Sequence, residues 1–154
     1  MYELLTRSAL VVRLVISRSD LLSVAATLPL NCNVIEFPAG IVGDEAAYAD
    51  ETLMDAARRE LVEETGYEAA SLHEVFTGAS SAGMSDELST FFIALGLKKI
   101  SGGGGVEHEK ITIHEVPLID VECWLTQQEL AGAKLDARIY SGLYLLERFR
   151  GTVK

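Results

Sequence analysis

Cations, cysteines and prolines are all scarce in this chain. Thirteen Lys and Arg stand against twenty-three Asp and Glu, a formal net charge of −10. That balance argues against a surface that tracks a nucleic-acid backbone, which needs clustered Lys and Arg to displace counterions. An anionic ligand would have to be drawn in by bound metal or by a local basic patch. The two cysteines, Cys32 and Cys123, have neither metal-ligand nor redox spacing. They read as reduced thiols of a cytoplasmic protein. No run approaches the roughly 20 apolar residues of a membrane span, so no membrane partner is expected. Met1 to Arg7 holds an acid, and the apolar run after it is broken by Arg13 and Arg18, unlike a signal peptide.

What is present is a core. The 154 residues are 49% hydrophobic, which suits one domain. Ser8 to Ser17 reads as a buried strand rich in β-branched residues. Leu21 to Ala26 reads as its return strand, making a hairpin across Ser19-Asp20. Val34 to Phe37 is a short strand that Pro38 ends. Ser71 to Thr77 and Thr90 to Leu97 are predicted strands flanking a small-residue loop, Gly78 to Ser85. Lys110 to Val116 alternates, with Ile111, Ile113 and Val116 inward and Thr112 and His114 outward. Val121 to Leu130 is a short helix, and Asp136 to Arg148 the final one. No repeat and no domain-separating linker is present. This order predicts a single α/β domain over 1–154, an α+β sandwich: a mixed β-sheet with helices on both faces.

The most informative stretch is Arg59-Glu60-Leu61-Val62-Glu63-Glu64-Thr65-Gly66-Tyr67. Thr52-Leu53-Met54-Asp55 has the form of a capping box, so a helix should begin there. Met54, Ala57 and Leu61 form its apolar stripe, and Gly66 its left-handed C-terminal cap. At about 100° per residue, Glu60, Glu63 and Glu64 fall within roughly 100° of arc. Carboxylates that close repel unless cations sit between them, and hard divalent cations prefer oxygen ligands. The helix dipole also favours cations at this end.

Glu51 stands eight positions before Arg59, and Glu36-Phe37-Pro38-Ala39-Gly40 lies upstream. Glu51, seven residues, Arg-Glu, an aliphatic, one residue, Glu-Glu, one residue, Gly and a large apolar residue: this resembles the Nudix box. The resemblance covers nearly the whole chain and implies the Nudix fold. Relatives often carry an N-terminal extension domain, which is not expected here, since the resemblance starts at the first strand. It implies hydrolysis of a nucleoside diphosphate linked to another group, with Mg²⁺, or Mn²⁺, bound by Glu60, Glu64 and Glu63. The carbonyl of Ala39, in the turn with Gly40, is a further implied ligand. Glu51, Arg59 and Gly66 are structural on this reading. Arg59 can hold a carboxylate bidentately. One departure stands out. The glycine that usually opens the box is replaced by Glu45, so Ile41 to Asp50 reads as a loop with a five-residue insertion.

The second half resembles one group of that family. Ser80-Ser81-Ala82-Gly83-Met84-Ser85-Asp86-Glu87 is similar to a loop of ADP-ribose and UDP-sugar pyrophosphatases, with Ala82 where a proline is usual. Gly40, Gly83, Ser85 and Glu87 are its implied substrate residues. Gly102 to Gly105, followed by Val106-Glu107-His108-Glu109, is similar to the mobile acidic loop of the same group. That likeness implies Glu107 or Glu109 as general base. The implied substrate is a nucleoside diphosphate sugar, ADP-ribose ahead of UDP-glucose. An apolar first hairpin and final helix, with family habit, point to a homodimer. A non-catalytic nucleotide-binding module on the same fold is the alternative of another class. The intact acidic trio weighs against it.

Overall fold

A computed structural model describes residues 10–16, 20–27, 32–43, 48–105 and 111–152. The elements are β1 (Leu10–Ile16), β2 (Asp20–Thr27), β3 (Cys32–Glu36), β4 (Ala39–Ile41), α1 (Leu53–Thr65), β5 (Tyr67–Ala79), β6 (Leu88–Lys99) and β7 (Ile111–Val116). A 3-10 turn (Leu118–Asp120), α2 (Val121–Leu130), β8 (Lys134–Leu135) and α3 (Arg138–Thr152) complete it.

Among the described residues the strands form two four-stranded sheets rather than one, in the orders β4-β1-β6-β5 and β7-β2-β3-β8. Both are mixed. β1 runs parallel to β6 and antiparallel to β4, and β3 runs parallel to β8 but antiparallel to β2. The expected hairpin of the first two strands does not form. β1 pairs with β4 and β6, and β2 pairs with β3 and β7. The sequence pattern identifies both segments as strands, but their neighbours come from far along the chain.

β6 is covered on both faces, which is why its sequence reads as a near-continuous apolar run. Phe92 and Ala94 pack with Ala56, Ala57 and Leu61 of α1 and with Leu72 of β5. Phe91 and Ile93 pack on the other side, with Val121 and Leu125 of α2 and Ile139, Leu145 and Leu146 of α3. Each large apolar side chain fully buried this way contributes about 1.5–3 kcal/mol. β7 divides in the same manner. Ile113 joins the α1 cluster, whereas Val116 lies in the α2–α3 cluster, not on the face of Ile113. His114 is half-buried, its ring 5.1 Å from that of Trp124.

β5 and β6 extend beyond their expected ends, because they pair from Tyr67 opposite Lys99 to Ala79 opposite Leu88. The loop between them is therefore Ser80 to Glu87, closed by a bond from the Ser80 amide to the Glu87 carbonyl at 3.1 Å. α3 begins two residues later than expected and runs on to Thr152. Asp136 lies just outside it, and its carboxylate accepts from the Arg138 amide at 2.8 Å.

α1 has the predicted ends. Thr52 Oγ1 accepts from the Asp55 amide at 3.2 Å and donates to Asp55 Oδ2 at 2.7 Å. The second bond differs from the usual box, in which the acid reaches back to the cap amide. Gly66 closes the helix at φ 75°, in the left-handed region, its amide donating to the Val62 carbonyl.

Candidate functional site

The C-terminal half of α1 lies against β4, and the acidic residues meet there. Arg59 organises them. Its Nη2 and Nε donate to Glu51 Oε1 and Oε2 at 2.8 and 3.2 Å. Its Nη1 donates to Glu60 Oε1 at 2.7 Å and to Glu63 Oε2 at 3.0 Å. The guanidinium also lies 4.4 Å from the centre of the Tyr48 ring, a cation–π contact. Glu51, whose side chain is 8% exposed, accepts in addition from the Gly43 amide at 3.2 Å. Arg59 beside it holds the Glu51 carboxyl below the ordinary glutamate value, against the opposing effect of burial. The same contact, with Glu60 and Glu63, raises Arg59 and keeps it charged.

Glu60 and Glu64 are both buried, at 8% exposure. They stand one turn apart, directed at the β4 turn. The Ala39 amide donates to Glu64 Oε2 at 3.2 Å. At Gly40 a side chain would have no room: a Cβ there would lie 1.8 Å from Glu60 Cδ and 1.9 Å from its Oε1. The space under the turn is thus reserved for the Glu60 carboxyl. The far end of the helix is met by the glycine-rich segment. Gly104 and Gly105 donate their amides to the carbonyls of Glu64 and Glu63 at 2.6 and 3.1 Å. This part of the segment is docked on α1 rather than standing clear as a hairpin tip.

These residues fit a divalent cation by their donor chemistry. Glu51, Glu60, Glu63 and Glu64 offer hard oxygens against the single positive charge of Arg59, and the glycine turn admits the Glu60 carboxyl beneath it. The carboxylates here are turned onto Arg59 and the Ala39 amide. Among the described residues no three His, Cys, Asp or Glu side chains converge as a metal cage. Glu60, Glu63 and Glu64 would supply the ligands.

The implied substrate loop is built separately. Gly83 and Ser85 are exposed, and the Ser85 amide donates to the Ser81 carbonyl at 3.0 Å. Glu87 pairs with Arg138 of α3 at 3.2 Å. Arg138 is also bound by Asp136, Nε donating to Oδ1 at 2.8 Å, and this neighbour raises its pKa. Glu107 and Glu109, the implied bases, and His108 lie outside the described residues. Sequence reasoning missed Gly43, Tyr48, Asp136 and Arg138. Asp136-Ala137-Arg138 carries an N-terminal signal for α3, but nothing in the spacing points Arg138 towards Glu87.

The comparisons with known proteins agree with this arrangement. The GDP-mannose pyrophosphatase of Citrobacter koseri is 33% identical over 103 residues, 66% of this chain and 51% of that protein. The methanol dehydrogenase activator of Bacillus methanolicus is 30% identical over 109 residues, 69% of this chain and 55% of that protein. The chain spans about half the length of the curated relatives it matches. A crystal structure of an ADP compounds hydrolase superposes with a TM-score of 0.73, over 96% of this chain and 75% of that one. At 21% identity that likeness is one of fold. A profile of the NUDIX domain matches residues 6–143, taking in every strand and the acidic helix. The chain is a member of the NUDIX domain family.

Proposed function

We propose that this chain hydrolyses the diphosphate bond of a nucleoside diphosphate sugar in the presence of Mg²⁺, or Mn²⁺, with ADP-ribose preferred. The observation that carries this reading is the burial of Glu60 and Glu64 under the Ala39-Gly40 turn, where a Cβ on Gly40 would displace the Glu60 carboxyl. Water attacks one phosphorus, the bridging P–O bond breaks, and the products are a nucleoside monophosphate and a sugar phosphate, AMP and ribose 5-phosphate for ADP-ribose. A bound divalent ion lowers the pKa of the attacking water and neutralises charge on the phosphoryl oxygens.

The chain's own residues do the rest. Glu60, Glu63 and Glu64 would supply oxygens to the ion, with the Ala39 carbonyl a further ligand. Arg59 and Glu51 hold the carboxylates in register. Glu107 or Glu109 takes the proton of the water. Gly40, Gly83, Ser85 and Glu87 line the diphosphate and sugar. Ser85 donates to an oxygen, and Glu87, held by Arg138, accepts from a hydroxyl.

GDP-mannose is a second reading, because a relative matched over 66% of this chain bears the name GDP-mannose pyrophosphatase. UDP-glucose follows from the loop resemblance alone. The protein works as a cytoplasmic homodimer on this proposal, with Tyr140 and Tyr144, both exposed on α3, as contact candidates. A monomer mass in ultracentrifugation at micromolar concentration would refute the dimer. The substrate is tested by comparing kcat/KM for ADP-ribose, GDP-mannose, UDP-glucose and a nucleoside triphosphate with Mg²⁺. Preference for the triphosphate overturns the substrate class, and preference for another diphosphate sugar overturns only the choice within it. Binding of these nucleotides without turnover would instead mark a non-catalytic module.

A further inference from the structure

α1 concentrates negative charge where it is least welcome. The C-terminal end of a helix carries about half a negative charge from its unpaired carbonyls, and cations normally offset it. Here Glu63 and Glu64 occupy the last turn, and no basic residue accompanies them there. The carbonyls of this end are met by backbone amides. Val62 accepts from Gly66, Glu63 from Gly105 and Glu64 from Gly104, at 2.9, 3.1 and 2.6 Å. Two of the three donors come from about forty residues further along the chain.

The approach is too close for side chains. A Cβ on Gly103 would lie 2.4 Å from the Thr65 carbonyl carbon and 2.7 Å from the Glu64 carbonyl oxygen. These are backbone atoms that cannot swing aside. Gly103 also has φ 64°, in the left-handed region that favours glycine. The contact is glycine on both sides, since a Cβ on Gly66 would lie 2.3 Å from the Ser101 carbonyl oxygen.

We propose that Gly103, Gly104 and Gly105 form a positioning element of the metal-binding helix end. Gly103 admits the segment, and the Gly104 and Gly105 amides lock the turn from which the Glu63 and Glu64 side chains project. Amides do this without adding a Lys or Arg that would compete with a metal ion for the same carboxylates. This inference rests on the metal-dependent reading above and assigns the glycine segment to that site. Outer partners of a metal site typically control affinity by about 10–100-fold.

The test is Mn²⁺ binding by the substrate-free protein, read by electron paramagnetic resonance and calorimetry, with circular dichroism to establish folding. Gly103→Ala is expected to fold and to bind Mn²⁺ at least about 10-fold more weakly, with an altered Mn²⁺ spectrum. Gly102→Ala, at a position with nothing within 4 Å, is expected to match the parent chain. A merely structural cap would lower the melting temperature and leave the Mn²⁺ affinity of the folded protein unchanged. That result overturns the proposal. If Gly103→Ala does not fold, Gly104→Ala carries the same test with the same expected and overturning results: φ 105° there disfavours alanine and shifts the amide, while the nearest neighbour at 3.9 Å leaves room for the methyl group. A parent chain that binds no Mn²⁺ overturns the metal reading itself, and this proposal with it.

Discussion

Arg59 and Glu51 are joined by two hydrogen bonds, Nη2 to Oε1 at 2.8 Å and Nε to Oε2 at 3.2 Å. The pair fixes the chain before α1 to the middle of that helix. It leaves Nη1 to Glu60 and Glu63, so a residue outside the helix sets the orientation of the acids on it.

Replacing Glu51 by Gln should cost stability, because it weakens charge-assisted bonds to a largely buried guanidinium. The expected loss is about 1.5–3 kcal/mol, measured by urea unfolding at pH 7. The pH dependence has a definite sign. Glu51 has its pKa lowered in the folded state, with the Arg59 bond as the largest cause. Its contribution is therefore complete above the ordinary value of about 4.3 and is lost as pH falls through the lowered one. The gap between parent and Glu51→Gln should be flat above about pH 5 and shrink in acid. A gap that widens on acidification would contradict the assigned pairing.

Gly40→Ala separates space from stability. The atoms it would strike belong to the end of the Glu60 side chain, Cδ and Oε1, rather than to backbone. Glu60 can rotate away, so the variant should fold with a melting temperature close to that of the parent. Its Mn²⁺ affinity and turnover should both fall by at least about 10-fold. A variant that unfolds, or one that stays fully active, would show that the turn does not serve the Glu60 carboxyl.

Glu64→Gln keeps an acceptor for the Ala39 amide and removes the charge. Loss of one of several close carboxylates relieves repulsion, so the fold should stay intact. Turnover with Mg²⁺ should fall by at least about 100-fold, the upper range for indirect metal partners. Steady-state kinetics beside a thermal melt decide this, and near-normal turnover in a folded variant would remove Glu64 from the metal set.

For the base, Glu107→Gln should lower kcat by roughly 10²–10⁴-fold with a modest change in KM, as expected for a lost proton acceptor. Glu109→Gln is the companion measurement. Retention of parent kcat in both would move the base elsewhere, Glu63 being the remaining acidic candidate.

The sequence by itself determined what is settled within a few residues. Thr52, Asp55 and Gly66 announce the ends of α1, because helix caps close over three or four positions. The acidic face of that helix follows from its period, and α2 was legible in the sequence with the bounds it has, Val121 to Leu130. What only the tertiary structure decided is which partners these pieces find. β1 and β2 read as strands, but nothing local says that β1 lies parallel to β6, with Leu10 opposite Leu88. Pairing across such separations is chosen by whole-sheet burial, here the covering of β6 on both faces. The site divides along the same line. Glu60, Glu63 and Glu64 are visible in the sequence, whereas Tyr48 on Arg59, Arg138 on Glu87, and the Gly104 and Gly105 amides on α1 are not. Those contacts are made between elements, and a backbone amide that meets a carbonyl forty residues away leaves no trace in residue type beyond the glycine that lets it approach.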